Sequence, residues 1–336
     1  MRTAVVLSFL ASISSVALAQ PATQPACDRS CLDGYVDRYL DAMLANDVRP
    51  DLFARDAKFT ENGIRLPLGN EGLWFGMSGK GSYKFYVPDV ETEQVAFIGT
   101  VRENTRTHGA NTGDGNLVAI ALRLKIAGGL ITEIEQLAIR PETPLFGGGG
   151  GNGGGGSNAG GNAAGSNANA PRFPPTGEAV EAMGAPSPIF QEIIPEKNRP
   201  SREDLIKTAN YYFTGLARND GKGYYPFTDD CERFENGIQT TRTNCKAQFE
   251  NSLKGVVSRI RDRRFVAVDR ERGIVFAFAF FDHEQINWTW QIAELFKIEN
   301  GQIRRIEAVF HRAPYGIPSG WSTYEQAMSE SIQSVR

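Results

Sequence analysis

Two short segments bring together the side chains most suited to proton chemistry. In FFDHEQ, Asp282 and His283 stand where an apolar run ends. An imidazole that titrates near working pH, beside a carboxylate, suits general acid–base work. Neighbouring residues of a strand point to opposite faces, so Asp282 is expected to orient a different group from His283. In IRRIEAVFHR, an extended chain puts Ile303, Arg305, Glu307, Val309 and His311 on one face. Glu307 and His311 lie four residues apart, about 13 Å at strand rise, so they would meet one ligand at two depths. The other reading makes this the outer, solvated face, with Glu307 paired near Arg305.

A third candidate is the tetrapeptide ENGI, which occurs at 61–64 and again at 235–238. Glu235, like Glu61, offers a carboxylate that acts as acid, base or acceptor, and Asn236 offers a ligand-orienting amide. The plainer reading makes Asn-Gly a turn and Glu a cap or surface partner. The run RIRDRRFVAVD carries Arg259, Arg261, Arg263 and Arg264. Guanidinium forks suit an anionic ligand group, although such a run also serves as a solvated strand face. Trp288 and Trp290 share a face and would wall an aromatic ligand or simply belong to the core. A metal site would need His283, His311 and a carboxylate. No ligand spacing supports one, so no metal and no cofactor are expected. The GxSxG, HExxH, P-loop and dinucleotide motifs are absent. One glycosylation sequon, Asn287-Trp288-Thr289, lies in a strand run, a position that argues against its use.

ENGI is one of three echoes that place these residues. YLDAMLAND (39–47) parallels YFTGLARND (212–220), and LKIAGGLITEIE (124–135) aligns without a gap on FKIENGQIRRIE (296–307). Three blocks in one order at a nearly constant offset mark an internal duplication of domain size. Each half reads as an amphipathic helix (Leu32 to Ala45; Arg202 to Arg218), capped by Ser30 or Ser201, followed by long alternating strands. IAGGL and IENGQ read as hairpin turns. Helix first and an antiparallel meander after it make an α+β pattern.

The first 19 residues read as a signal peptide, with Arg2, an apolar run and Ala17-Leu18-Ala19. A secreted or periplasmic protein is therefore expected. The net charge of −3, from 36 basic and 39 acidic residues, leaves no electrostatic footprint for nucleic acid or an anionic membrane. The four cysteines allow three pairings. Cys27–Cys31 and Cys231–Cys245 keep each bridge within one domain, and the second closes a loop worth roughly 3 kcal/mol. Residues 143–199 are first Gly/Asn-rich, then Pro-rich, and read as a linker with a flexible first part. Its apolar island SPIFQEIIP (187–195) either docks on a domain as a strap or stays a disordered spacer.

The element order resembles the nuclear transport factor 2-like (SnoaL-like) superfamily, with FKIENGQIRRIE similar to its closing hairpin. CDRSCLDGYVDRYL, FTENG, GLW, ERFENGIQTT, RDRRFVAVD, FAFFDH, RIEAVF and PYGIPSGW resemble a secreted fungal and bacterial family of unknown function. The resemblance implies two cones of helices wrapped by curved sheet, at 27–142 and 200–322, with a tail at 323–336. It also implies a fold used by isomerases, cyclases, dehydratases, lyases and plain binding modules, so the chemistry must come from the site. The second domain has the richer polar inventory. There, Tyr212, Glu235, Asn236, Arg264, Asp282, His283, Trp288, Trp290, Glu307 and His311 are expected to line or rim a cavity for a small apolar or aromatic molecule. Cofactor-independent isomerisation, dehydration or elimination would follow. The alternative is a non-enzymatic exported binding or self-association module that pairs as a homodimer through its sheet faces.

Overall fold

The computed structural model describes residues 27–104, 113–141, 174–217, 219, 224–251, 255 and 257–334. The signal-peptide reading and the glycine-rich part of the linker lie outside the described residues. The first domain runs α1 (Arg29–Ala45), β1 (Phe53–Glu61), β2 (Ile64–Arg65), α2 (Leu73–Gly76), β3 (Met77–Asp89), β4 (Gln94–Glu103), β5 (Asn116–Ala127) and β6 (Leu130–Ile139). A short helix α3 (Thr176–Ala182) precedes the second domain. That domain comprises α4 (Arg202–Ala217), β7 (Phe227–Glu235), β8 (Ile238–Gln239), α5 (Cys245–Asn251), β9 (Arg259–Asp269), β10 (Ile274–His283), β11 (Trp288–Glu299) and β12 (Gln302–Pro314). The turn of helix α6 (Tyr324–Ala327) follows it.

Each domain is α+β, a long helix laid into a curved six-stranded mixed sheet. The strand orders are β2-β1-β6-β5-β4-β3 and β8-β7-β12-β11-β10-β9. The β1–β6 and β7–β12 pairings are parallel, and the other pairings between these strands are antiparallel. Register shifts in β3–β4 and β9–β10 bend the sheets round their helices. Leu32, Val36, Tyr39, Leu40 and Met43 recur at helical spacing on the buried face of α1, as Leu205, Ala209, Tyr212 and Leu216 do on α4. Ser201 caps α4, accepting from the Asp204 amide at 3.1 Å. Ser30 does not cap α1. The helix begins at Arg29, where Asp28 accepts from the Cys31 amide at 2.8 Å and Ser30 donates to Asp28. This earlier start leaves Cys27 outside the helix, so the Cys27–Cys31 bridge forms without spanning a regular helical turn. Cys231–Cys245 joins β7 to α5. Two disulfides suit an oxidising compartment. Among the described residues no helix is long and apolar enough to cross a membrane.

Both ENGI segments are tight turns. Asn62-Gly63 and Asn236-Gly237 take left-handed backbone, with φ near 50° for each Asn and 81° and 80° for the glycines. Each Asn side chain brackets the neighbouring strand. Asn62 donates to the Ala138 carbonyl and accepts from its amide, at 3.1 and 2.8 Å, and Asn236 does the same at Phe310, at 3.2 and 2.9 Å.

The outer faces of the two sheets pack against each other within the chain. Tyr83, Phe85, Ile98, Ala121 and Leu137 from one meet Val266, Phe276, Phe278, Leu295 and Val309 from the other in a single buried cluster. Contacts across this junction come in matched pairs. Arg29 at the start of α1 grips Asp269 at the end of β9, with both bonds at 2.7 Å, and Arg202 at the start of α4 grips Asp89 at the end of β3 at 2.6 Å. The segment after each domain's last strand crosses to the other domain's ENGI turn. A Cβ on Gly63 would lie 2.6 Å from the Pro318 carbonyl oxygen, and one on Gly237 would lie 2.5 Å from the Ala179 backbone in α3. Only glycine permits either approach. The 187–195 island is docked, with Phe190 fully buried in the inter-sheet cluster. Glu181 of α3 is held by the amides of Ser82 (2.8 Å) and Tyr83 (3.2 Å) and by the hydroxyls of Ser82 and Thr100.

Candidate functional site

The pleat divides the polar residues of the second domain into two sets. On the concave face, toward α4, lie Tyr212, Glu235, His283, Trp288 and Trp290. On the opposite face, at or near the inter-domain junction, lie Arg264, Asp282, Glu307 and His311. Arg264 makes a bidentate pair with Glu135 of the first domain, at 2.6 and 2.7 Å. Asp282 accepts from Arg259, Arg261 and Thr289 at 2.6 to 3.0 Å. Glu307 takes Arg305 Nε at 2.7 Å and lies 3.4 Å from the Tyr83 hydroxyl of the first domain. His311 shares its Nε2 with Gln291 at 3.0 Å, and Gln291 lies against the first ENGI turn. These four therefore do not line the second cone. Asn236 supports its turn, as described above.

At the mouth of the cone, His283 sits edge-on to Trp290 at 4.2 Å and to Trp288 at 5.9 Å, and Phe310 lies 4.9 Å from Trp290. The Arg312 guanidinium stacks on Trp288 at 3.7 Å. Farther along β11, on the same face as Trp290, comes Glu294. It is wholly buried, and no hydrogen bond of good geometry reaches either carboxylate oxygen. The Tyr212 hydroxyl accepts from Arg233 Nε at 2.9 Å and keeps its own proton to turn toward Glu294, an interaction that lowers the carboxyl's pKa. Arg233, buried and held protonated despite that burial by Glu235 and its neighbours, makes a close ion pair with Glu235. Tyr212 itself packs between Phe249 and Phe296. Burial pushes Glu294 from its ordinary 4.5 up to about 8, against the pull of Arg233 and with some help from Glu235. At neutral pH this carboxyl keeps its proton, beside the close Arg233–Glu235 ion pair.

The duplicated cone makes the contrast plain. Leu122 stands where the second domain has Glu294, and Phe59 where it has Arg233, by the alignment of the repeats. The polar groups Tyr39, Trp74, Gln136 and Glu61 there are matched to one another. Tyr39 donates to Gln136 at 2.9 Å, Trp74 donates to Tyr39 at 3.1 Å, and Gln136 donates to Glu61 at 3.0 Å. Arg140 clamps Glu61 and Glu103 together across the opening, with bonds of 2.7 to 2.8 Å. In the second cone the counterparts of these three are Arg312, Glu235 and His283. Arg312 has turned to Trp288 and Glu235 to Arg233, so the clamp is undone.

Glu294 and Arg233 are the residues that sequence reasoning missed. The signal was available: Trp290, Ile292, Phe296 and Ile298 share a period-two face with Glu294, a lone carboxylate in an apolar stripe. A groove of about 490 Å³, lined by Leu205, Lys207, Tyr211, Tyr224 and Ile298, lies beside α4.

The buried acid predicts a pH dependence of definite sign. Its folded pKa lies above the unfolded value, so its contribution to stability is complete below about 4.5. That contribution falls as the pH rises toward about 8 and is level beyond it. Glu294→Gln is expected to flatten this slope and to raise the unfolding free energy at pH 8 by an amount on the order of a few kcal/mol, read as a higher urea midpoint. Parallel wild-type and variant midpoints from pH 5 to 9 would contradict the assignment.

No curated protein matches the chain. Solved structures similar to part of it include a de novo designed protein with a curved β-sheet, 18% identical with a TM-score of 0.26, covering 33% of this chain and 88% of that one. Another is an NTF-2 like protein of unknown function from Burkholderia xenovorans LB400, 15% identical with a TM-score of 0.27, covering 36% and 94%. Residues 198–310, which hold the second cone, match the family described as a domain of unknown function (DUF8021).

Proposed function

We propose that the second cone binds a small, largely apolar or aromatic molecule with one polar end, and that Glu294 presents a proton to that end. The observation that carries this reading is the Glu294 carboxyl itself, wholly buried beside the Tyr212 hydroxyl and the Arg233–Glu235 pair where the sister domain has leucine. Burying a carboxyl that leucine could replace has a cost, and a site that must meet a ligand explains why it is kept. The ring faces of Trp290 and Phe310, with His283 edge-on, would receive the apolar body. Glu294 and the Tyr212–Arg233–Glu235 network supply an acid and an ion-paired carboxylate near enough for each to feel the other's charge. Cofactor-independent isomerisation, dehydration or elimination needs such a division of roles. The two disulfides suit action outside the cytosol. The rival self-association module would pair through sheet faces that already cover each other inside one chain.

A thermal-shift panel of phenolic, cyclic-ketone and terpenoid-like compounds tests the proposal against Glu294→Leu, which copies the sister domain. A compound at 100 times its Kd should add about 2.7 kcal/mol to the wild type. Glu294→Leu should melt higher than the wild type unliganded and lose the response. A panel that leaves the wild type unmoved, or moves both proteins equally, would sink the proposal.

A further inference from the structure

We propose that Asn287 is a site of N-linked glycosylation. Asn287-Trp288-Thr289 is the only Asn-X-Ser/Thr triplet in the 336 residues. A strand position would bury the acceptor amide, but β11 begins at Trp288 and Asn287 stands outside it. The residue closes the tip of the β10–β11 hairpin after the exposed turn Glu284–Ile286. It takes left-handed backbone at φ 54°, and its side chain is exposed. Tips of this kind accept bulk without disturbing a ladder. The chain also carries two disulfides, which belong to the oxidising route along which such sugars are added.

The two ends of the triplet have opposite surroundings. Thr289 is fully buried and donates its hydroxyl to Asp282 at 2.7 Å. A transferase that reads both the amide and the hydroxyl therefore meets them only before β10 and β11 close, which places the modification on the entering chain. The donor is an oligosaccharide on a lipid diphosphate. Asn287 Nδ2 forms a C–N bond to the anomeric carbon and the C–O bond to the diphosphate breaks. The amide proton passes to a base of the transferase, and the lipid diphosphate leaves. The product carries its sugar beside Trp288 and so at the rim of the second cone.

Expression of the full chain through a eukaryotic secretory pathway tests this. The secreted protein should exceed its polypeptide mass, and peptide-N-glycosidase should remove the excess and leave aspartate at 287. Asn287→Gly keeps the left-handed turn and should abolish the added mass. Thr289→Ser keeps the hydroxyl and should retain it. Secreted protein with an unmodified Asn287, or an excess mass that survives Asn287→Gly, overturns the assignment.

Discussion

Arg264→Ala is expected to destabilise the protein by about 3–5 kcal/mol, the usual consequence of stranding one partner of a buried ion pair. Arg264 and Glu135 are 4% and 2% exposed at the side chain, and their two parallel bonds join strands from different domains. Arg264 also lies 3.2 Å from Asp262, whose side chain is itself fully buried. Alanine at 264 leaves Glu135 charged within an apolar junction, with its desolvation uncompensated. Arg264→Met combined with Glu135→Leu removes that pair and should recover part of the stability, the remainder being lost at buried Asp262, which is left with the Ser322 hydroxyl. Urea midpoints of the two single variants and the double variant decide the matter. Additive single losses would mean that the two residues do not act as a pair.

Phe190→Ala is the second large effect, about 3–5 kcal/mol for an aromatic ring removed from a closed site. The ring is wholly buried, 4.8 Å from Phe85 and beneath the Arg305 guanidinium at 6.0 Å. It anchors the 187–195 segment between the two sheets, so its loss should also free that segment. Proteolysis at Lys197 or Arg199 under native conditions should speed up in Phe190→Ala, while Phe190→Leu should show a smaller change in both measurements. A variant that resists protease like the wild type would show that the segment is held by other contacts.

The sequence disclosed what local patterns control. Helix periodicity, the Asn-Gly turns at 62–63, 236–237 and 300–301, the alternation of the strands and the duplication all rest on near neighbours, and the α+β architecture follows from them. The site was less legible because the two faces of each sheet are both buried. IVFAFAFFDH is apolar on each side of the pleat, with Val275, Ala277, Ala279 and Phe281 toward the helix and Phe276 and Phe278 toward the other domain. Such a strand carries no mark of which face holds a cavity. Asp282, Glu307, Arg264 and His311 therefore looked equivalent to His283 and Trp290, though Arg264 and Glu307 reach Glu135 and Tyr83 more than a hundred residues away in sequence, and Asp282 and His311 bond partners within their own domain. Glu294 was masked for the opposite reason. It sits among Ile292, Phe296 and Ile298 without a second titratable group beside it in the chain, and its partners Tyr212 and Arg233 arrive from other elements.

The matched contacts at the junction carry a historical meaning. Arg29 with Asp269 and Arg202 with Asp89 are the same interaction made twice, and each ENGI turn receives the chain that trails the other domain. Doubled contacts of this kind are the signature of two identical subunits related by a twofold axis. A single-domain ancestor with these surfaces could complete neither turn alone and needed a second copy to do so. The duplicated chain thus holds, within one polypeptide, the paired contacts of a symmetric dimer. Fusion then released the copies from identity, and one was free to seal its cone with the Arg140 clamp while the other kept an acid inside.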